Sequence, residues 1–203
     1  MNISEQDSER ISAAIRTAES KTSGEIVCVL AQASTDATGL PILLAALVAL
    51  TLPWLLVAFT AMSVHRILLL QAVVFFILAV VLCLPRVRVA IVPRAARRAV
   101  AHRVAMEQFS VRGIARKKDR SGILIFVSLA EHYARIIADE GIAARVPQSE
   151  WQGAIDTLVA HIKSGQIADG LITAIEVCGN TLMTNFPRTE SSRDELPNRI
   201  YLI

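Results

Sequence analysis

Two long uncharged runs, residues 39–62 and 67–85, restrict this chain more than any other feature. Only Ser63-Val64-His65-Arg66 separates them. The first, Gly39 to Met62, carries no charge; the second, Ile67 to Pro85, carries none either and has one amide, Gln71. A helix needs roughly 20 residues to cross the hydrocarbon of a bilayer, and each run is about that long. The expectation is an integral membrane protein with a two-helix transmembrane hairpin, its spans at about 40–62 and 67–85. Two buried core helices of a soluble protein are the weaker alternative, because adjacent uncharged runs of this length seldom serve so small a core. Hydrophobic residues make up 53% of the chain, as a sizeable lipid-facing fraction requires. The runs are internal, and no basic start leads into a short apolar segment, so no signal peptide is expected.

Charge is distributed unevenly. Residues 86–120 hold eleven basic side chains, starting with Arg86, Arg88, Arg94, Arg97, Arg98 and Arg103, against two acidic ones, Glu107 and Asp119. Lys and Arg beside a span favour the cytoplasmic face, whereas the connecting loop offers only Arg66 to be translocated. The expected topology therefore places both termini in the cytoplasm, with two spans joined by a short external loop. Those six arginines are expected at the membrane surface, where each basic residue gains about 1 kcal/mol against anionic headgroups. No aromatic residues are interleaved with them and no recognition motif accompanies them, so nucleic acid is not an expected partner. Gln71 is the one polar group deep in the hairpin, positioned to bond across to the other span or to a partner.

The flanks read as one α/β domain. Ser4-Glu5-Gln6-Asp7 has the form of a helix start, followed by Ile11, Ala14, Ile15 and Ala18 at helical spacing, with Gly24 as the expected stop. Residues 25–31 read as a buried strand. One helix and one strand bury too little surface to fold alone. They must complete a core built from residues beyond the hairpin, which requires both flanks on the same side and an even number of spans. After the second span, Pro93 opens a helix reaching about Val111 and ended by Gly113. Ile123 to Val127 is a continuous apolar run, as a central strand should be, and Tyr133 to Asp139 an antiparallel neighbour. Trp151, Ile155, Leu158, Val159 and Ile162 mark a helix stopped by Gly165, and Leu171, Ile172, Ile175 and Leu182 mark another. A polar stretch from Pro187 to Asn198 ends in Ile200-Tyr201-Leu202-Ile203, which is apolar enough to dock.

Several short segments resemble, in their order, the TPM domain family: Ser23-Gly24-Glu25-Ile26-Val27; Phe109 with Gly113; Ser121 to Leu129; Ile136-Ile137-Ala138-Asp139-Glu140-Gly141-Ile142; Trp151; Gly165 with Asp169-Gly170-Leu171; and Phe186-Pro187. The resemblance covers most of the chain outside the hairpin. It is closest to bacterial membrane forms in which spans interrupt the domain, and implies an αβα sandwich interrupted by the hairpin and a place in the bacterial inner membrane. It also implies an association with membrane complexes, their assembly and repair. Some members are described as acid phosphatases, and some bind calcium through acidic residues at the sheet edge. Two departures weigh against a metal site and phosphatase activity here: Ser121 stands where many members carry Asn or Asp before the strand-opening glycine, and the leader of exported members is lacking.

Little else points to chemistry. P-loop, GxGxxG, HExxH and GxSxG motifs are missing. The acidic candidates are Asp119, Glu131, Asp139, Glu140 and Asp169. Ca²⁺ needs about six to eight oxygen ligands, and Asp119, Asp139 and Glu140 form the candidate set, since Asp119 precedes a strand whose antiparallel neighbour Asp139 ends. Without a metal, Asp139 is a turn residue, Glu131 sits at a hairpin turn and Asp169 lies near a helix start. The four histidines have no ligand spacing, and Trp151 reads as a core anchor. Three widely spaced cysteines without a CxxC read as buried hydrophobes. The expected organisation is residues 1–38 as the first part of the domain, 39–92 as the hairpin, 93–187 as the remainder and 188–203 as a polar tail. The expected role is a non-enzymatic accessory module for an unidentified membrane protein complex, the alternative being a divalent-metal-dependent acid phosphatase.

Overall fold

The computed structural model of the chain describes residues 3–34, 39–84, 87, 93–116, 120–188 and 196–203. It divides into two compact units: Met1–Ser34 with Arg98–Ile203, and Thr35–Arg97.

The first unit is a mixed α/β fold around a four-stranded sheet. Helix α1 (Glu5–Glu19) starts at Ser4, whose hydroxyl oxygen accepts from the Asp7 amide at 3.0 Å, with Glu5 and Asp7 favourably placed in the positive first turn. It buries Ile11, Ile15 and Ala18 and stops at Glu19, five residues before the glycine expected to end it. Gly24 serves packing instead: a Cβ there would come within 2.9 Å of Leu182. Strand β1 (Glu25–Ala31) and strand β2 (Gly122–Ser128) are buried along their whole length and pair in parallel from Glu25↔Gly122 to Ala31↔Ser128. Such unbroken apolar runs belong in the middle of a sheet covered on both faces. Strand β3 (Tyr133–Ala138) lies antiparallel to β2, and β4 (Ile200–Leu202) adds parallel to β1, giving the order β3-β2-β1-β4. The docking segment at the C-terminal end is thus an edge strand.

Side chains alternate between the faces. Ile26, Cys28 and Leu30 of β1, with Ile123, Ile125 and Val127 of β2, join a core shared with α1 and two later helices, α6 (Gln152–Lys163) and α7 (Ile167–Asn185). Gly165, at φ +83°, makes the turn between those two, a backbone conformation that favours glycine. Trp151 is completely buried in this core, at the end of a 3₁₀ turn (Gln148–Trp151) preceded by the short helix α5 (Glu140–Ala143). The opposite face carries Val27, Val29, Leu124 and Phe126, covered by Ala105 and Phe109 of α4 (Arg94–Val111) and by Ile114 of the 3₁₀ turn that follows. Segments on both sides of the hairpin are also tied directly, because Arg10 of α1 bonds Asp7 at 3.0 Å and Asp169 of α7 at 2.6 Å.

The second unit is built from α2 (Gly39–Phe59) and α3 (Val64–Cys83), 21 and 20 residues long. The turn between them lies at 60–63, so Val64, His65 and Arg66, expected in the loop, form the first turn of α3. Both helices are long and apolar enough to cross a membrane, and only 11% and 6% of their most apolar windows are buried. Trp54 and Phe59 are about four-fifths exposed. Thr51, and Thr60 just past the end of α2, satisfy their hydroxyls on that helix, donating to the carbonyls of Val48 and Leu56. Gln71 is half-buried and lines a gap of about 310 Å³ between the helices, beside Ala46, Ala49 and Ala72. Its amide makes no hydrogen bond among the described residues.

Candidate functional site

The polar groups that the fold takes out of water concentrate at the ends of the central strands. Glu25, which opens β1, and Asp139, which follows β3, are both nearly fully buried. Glu25 pairs with Gly122 in register, and the Asp139 amide donates to the Gly122 carbonyl at 2.9 Å. The three positions therefore form one row across β1, β2 and β3, sharing the face covered by α4. Neighbouring strands lie about 4.8 Å apart, so the two acidic residues start roughly 10 Å from each other at Cα. The glycine between them leaves room that Ile114 fills: a Cβ on Gly122 would lie 2.4 Å from an Ile114 methyl.

Asp139 caps α5, its Oδ1 accepting from the Glu140 amide at 2.7 Å. Its Oδ2 is buried without a hydrogen-bond partner, a costly state for a carboxylate oxygen. Glu140 faces solvent, 82% exposed, and pairs with Arg120 at 2.5 Å. Ser121 is buried and donates to the Ser23 carbonyl at 3.2 Å, joining the start of β2 to the loop before β1. Asp119 lies outside the described residues. A third buried acid, Glu19, accepts from the Ile26 amide at 2.7 Å. At the other end of the parallel pair, Glu131 accepts from the Ser34 amide at 3.1 Å and from the Ser128 hydroxyl, which in turn accepts from the Ser34 hydroxyl at 2.7 Å. This chain ties the segment leaving β1 to the β2–β3 turn.

Among the described residues no three His, Cys, Asp or Glu side chains cluster as a metal would need. The orphaned Oδ2 of Asp139 is one oxygen ligand, and the donors described around it fall well short of a Ca²⁺ shell. Asp169 is engaged at the surface by Arg10. His161 bonds the Thr157 carbonyl of its own helix, and His102 lies 3.5 Å from the Tyr133 hydroxyl. Burial pushes the Cys28 thiol well up and raises Cys178 to about 12. Both stay protonated and unreactive at neutral pH, as core residues. Of the arginines beside the second run, Arg94, Arg97, Arg98 and Arg103 all belong to α4, whereas Arg86 and Arg88 lie outside the described residues.

Glu19 and Glu25 were not legible as candidates. The available signal was a charged residue opening an otherwise apolar strand, and it becomes informative only once the neighbouring strand ends are known.

The family model described as TPM domain matches residues 85–181. The matched region starts just past the end of α3, so α1 and β1 lie outside it although they belong to the same compact unit as most of the matched residues. Among curated proteins no sequence match was found. Among solved structures, the fold is similar to the NMR structure of the BA42 protein from the psychrophilic bacterium Bizionia argentinensis, at a TM-score of 0.62 and 21% identity, covering 100% of this chain and 97% of that one.

Proposed function

We propose, on the premise that this chain carries a TPM domain, that it is a bacterial inner-membrane protein whose hairpin anchors that domain as a non-enzymatic module serving a membrane protein complex. One observation carries the reading. β1 and β2 are hydrogen-bonded neighbours in a buried parallel pair, yet both apolar helices lie between them in sequence. The chain that leaves the sheet through α2 has to return to it after α3, so an even number of crossings is the only arrangement compatible with the pairing. The bare apolar surface of α2 and α3 supports the same reading. Water would make that surface an aggregation liability, whereas hydrocarbon covers it and leaves the helical backbone satisfied within each segment. The domain then consists of residues 1–38 and 93–187, with β4 added from the segment at 188–203 expected as a polar tail, an αβα sandwich interrupted by residues 39–92. The arginines following the second span hold it against anionic headgroups on the cytoplasmic side.

A reporter fused after Ile203 tests the topology. One that works only in the cytoplasm is expected to be active, and one that works only outside it silent; the reverse pattern would put the domain on the external face.

The orphaned Asp139 Oδ2 favours one second reading, a divalent-metal-dependent phosphatase in which a cation polarises the phosphate. On the first reading, Asp139→Asn keeps the cap while removing a buried charge, and costs little stability. A native-state ligand at a hundred times its Kd adds about 2.7 kcal/mol. A saturable Ca²⁺-induced rise in melting temperature, lost in Asp139→Asn, would overturn the non-enzymatic reading. An unchanged melting temperature with Ca²⁺, Mg²⁺ and Mn²⁺ is the expected result.

A further inference from the structure

At the outer edge of β3, an open cavity of about 340 Å³ lies between α4 and α6. That volume is within the range of small-molecule sites, roughly 300–1,000 Å³. It adjoins the Tyr133 end of the strand, opposite the end occupied by Asp139. Two arginines line it from different elements, Arg98 from α4 and Arg135 from β3. Neither forms an ion pair among the described residues. Arginine does not shed its proton to escape such a position, so both contribute a positive charge to one cavity. Among the described residues Asp156 is the one acid in the lining, its Oδ1 accepting from the Gln152 amide at 2.9 Å, so arginines outnumber acids there.

The remaining lining suits an anion attached to carbon. Gln148 donates one amide hydrogen to the Ile136 carbonyl at 3.2 Å and retains a second. Ala134, Ile155 and Val159 supply apolar surface beside the polar groups. A phosphate offers one more oxygen than a carboxylate, enough acceptors for two guanidinium forks and the Gln148 amide together. We propose that this cavity binds the phosphate group of an organic phosphate, held between Arg98 and Arg135, with the adjoining carbon atoms against Ile155 and Val159. The same chemistry is presented by a soluble phosphate ester and by a phospholipid headgroup. The site does not require the hairpin to cross a bilayer, and the reporter fusions test that separately.

The test uses the full chain in zwitterionic detergent, titrated calorimetrically with glycerol 3-phosphate and with a short-chain phosphatidic acid. Saturable binding of one or both probes is expected, weakened about tenfold by Arg98→Gln and by Arg135→Gln, the loss expected for one charge-assisted hydrogen bond. Arg16→Gln, on an exposed face of α1, is expected to bind as the parent does. Binding of glycerol 3-phosphate identifies a soluble ester as sufficient, and binding of the lipid alone identifies a headgroup. The proposal fails if neither probe saturates, if either cavity variant binds like the parent, or if Arg16→Gln weakens binding equally. Unchanged melting of the ligand-free variants confirms that a loss reflects the cavity rather than the fold.

Discussion

Replacing residues 39–92 with a flexible Gly/Ser linker of about 20 residues is expected to transfer the protein from a carbonate-resistant membrane pellet to the soluble fraction, still folded. Such a linker spans on the order of 25 Å. Folding should survive because the strand pairing, both hydrophobic cores and the Arg10–Asp169 link are made by residues outside the replaced segment. The expected readouts are complete extraction and a cooperative melt. A parent protein that washes off with carbonate would contradict a membrane-spanning hairpin. A variant that stays with the membrane would show that the arginine-rich helix holds it there without the spans.

Trp151→Ala is expected to be the most damaging single substitution, costing about 3–5 kcal/mol. Trp151 is the largest completely buried side chain, set between the end of its 3₁₀ turn and the core shared by α1, α6 and α7. A domain of this kind has only about 5–15 kcal/mol of stability in total, so partial unfolding or failure to accumulate is the expected phenotype. Its indole N–H is buried without an acceptor. Trp151→Phe removes that orphan while keeping an aromatic ring, and should cost much less than alanine. Chemical denaturation of both variants of the hairpin-replaced protein checks the difference. Equal losses would mean that the site tolerates no change of shape and that the unpartnered N–H is energetically silent.

Local features were read reliably where one short segment carried the whole signal. The apolar runs at 39–62 and 67–85 appeared as α2 and α3, offset by a few residues because helix ends depend on capping and not on hydropathy. Glu25–Ala31 and Gly122–Ser128 read as buried strands because continuous apolar stretches of that length belong between two covered faces. The end of α1 differs from the expected one because Gly24 packs closely against Leu182, a residue more than 150 positions away, and does not stop the helix. The role of Ser121, which bonds the Ser23 carbonyl across two strand ends, was likewise invisible from its neighbours in sequence.

What the sequence determined by itself was the presence of two long apolar helices in succession and of the apolar strands on either side of them. Each follows from hydrophobicity along one contiguous stretch, or from the need of a short segment to find a core. The tertiary structure alone decided which side chains meet. It set Glu25, Gly122 and Asp139 in one row with Ile114 above the glycine, made an edge strand of Ile200–Leu202, and placed Arg98 and Arg135 in the lining of the same cavity. Those neighbours are separated by up to about half the chain or more, and register between strands, which no local pattern encodes, is what brings them together.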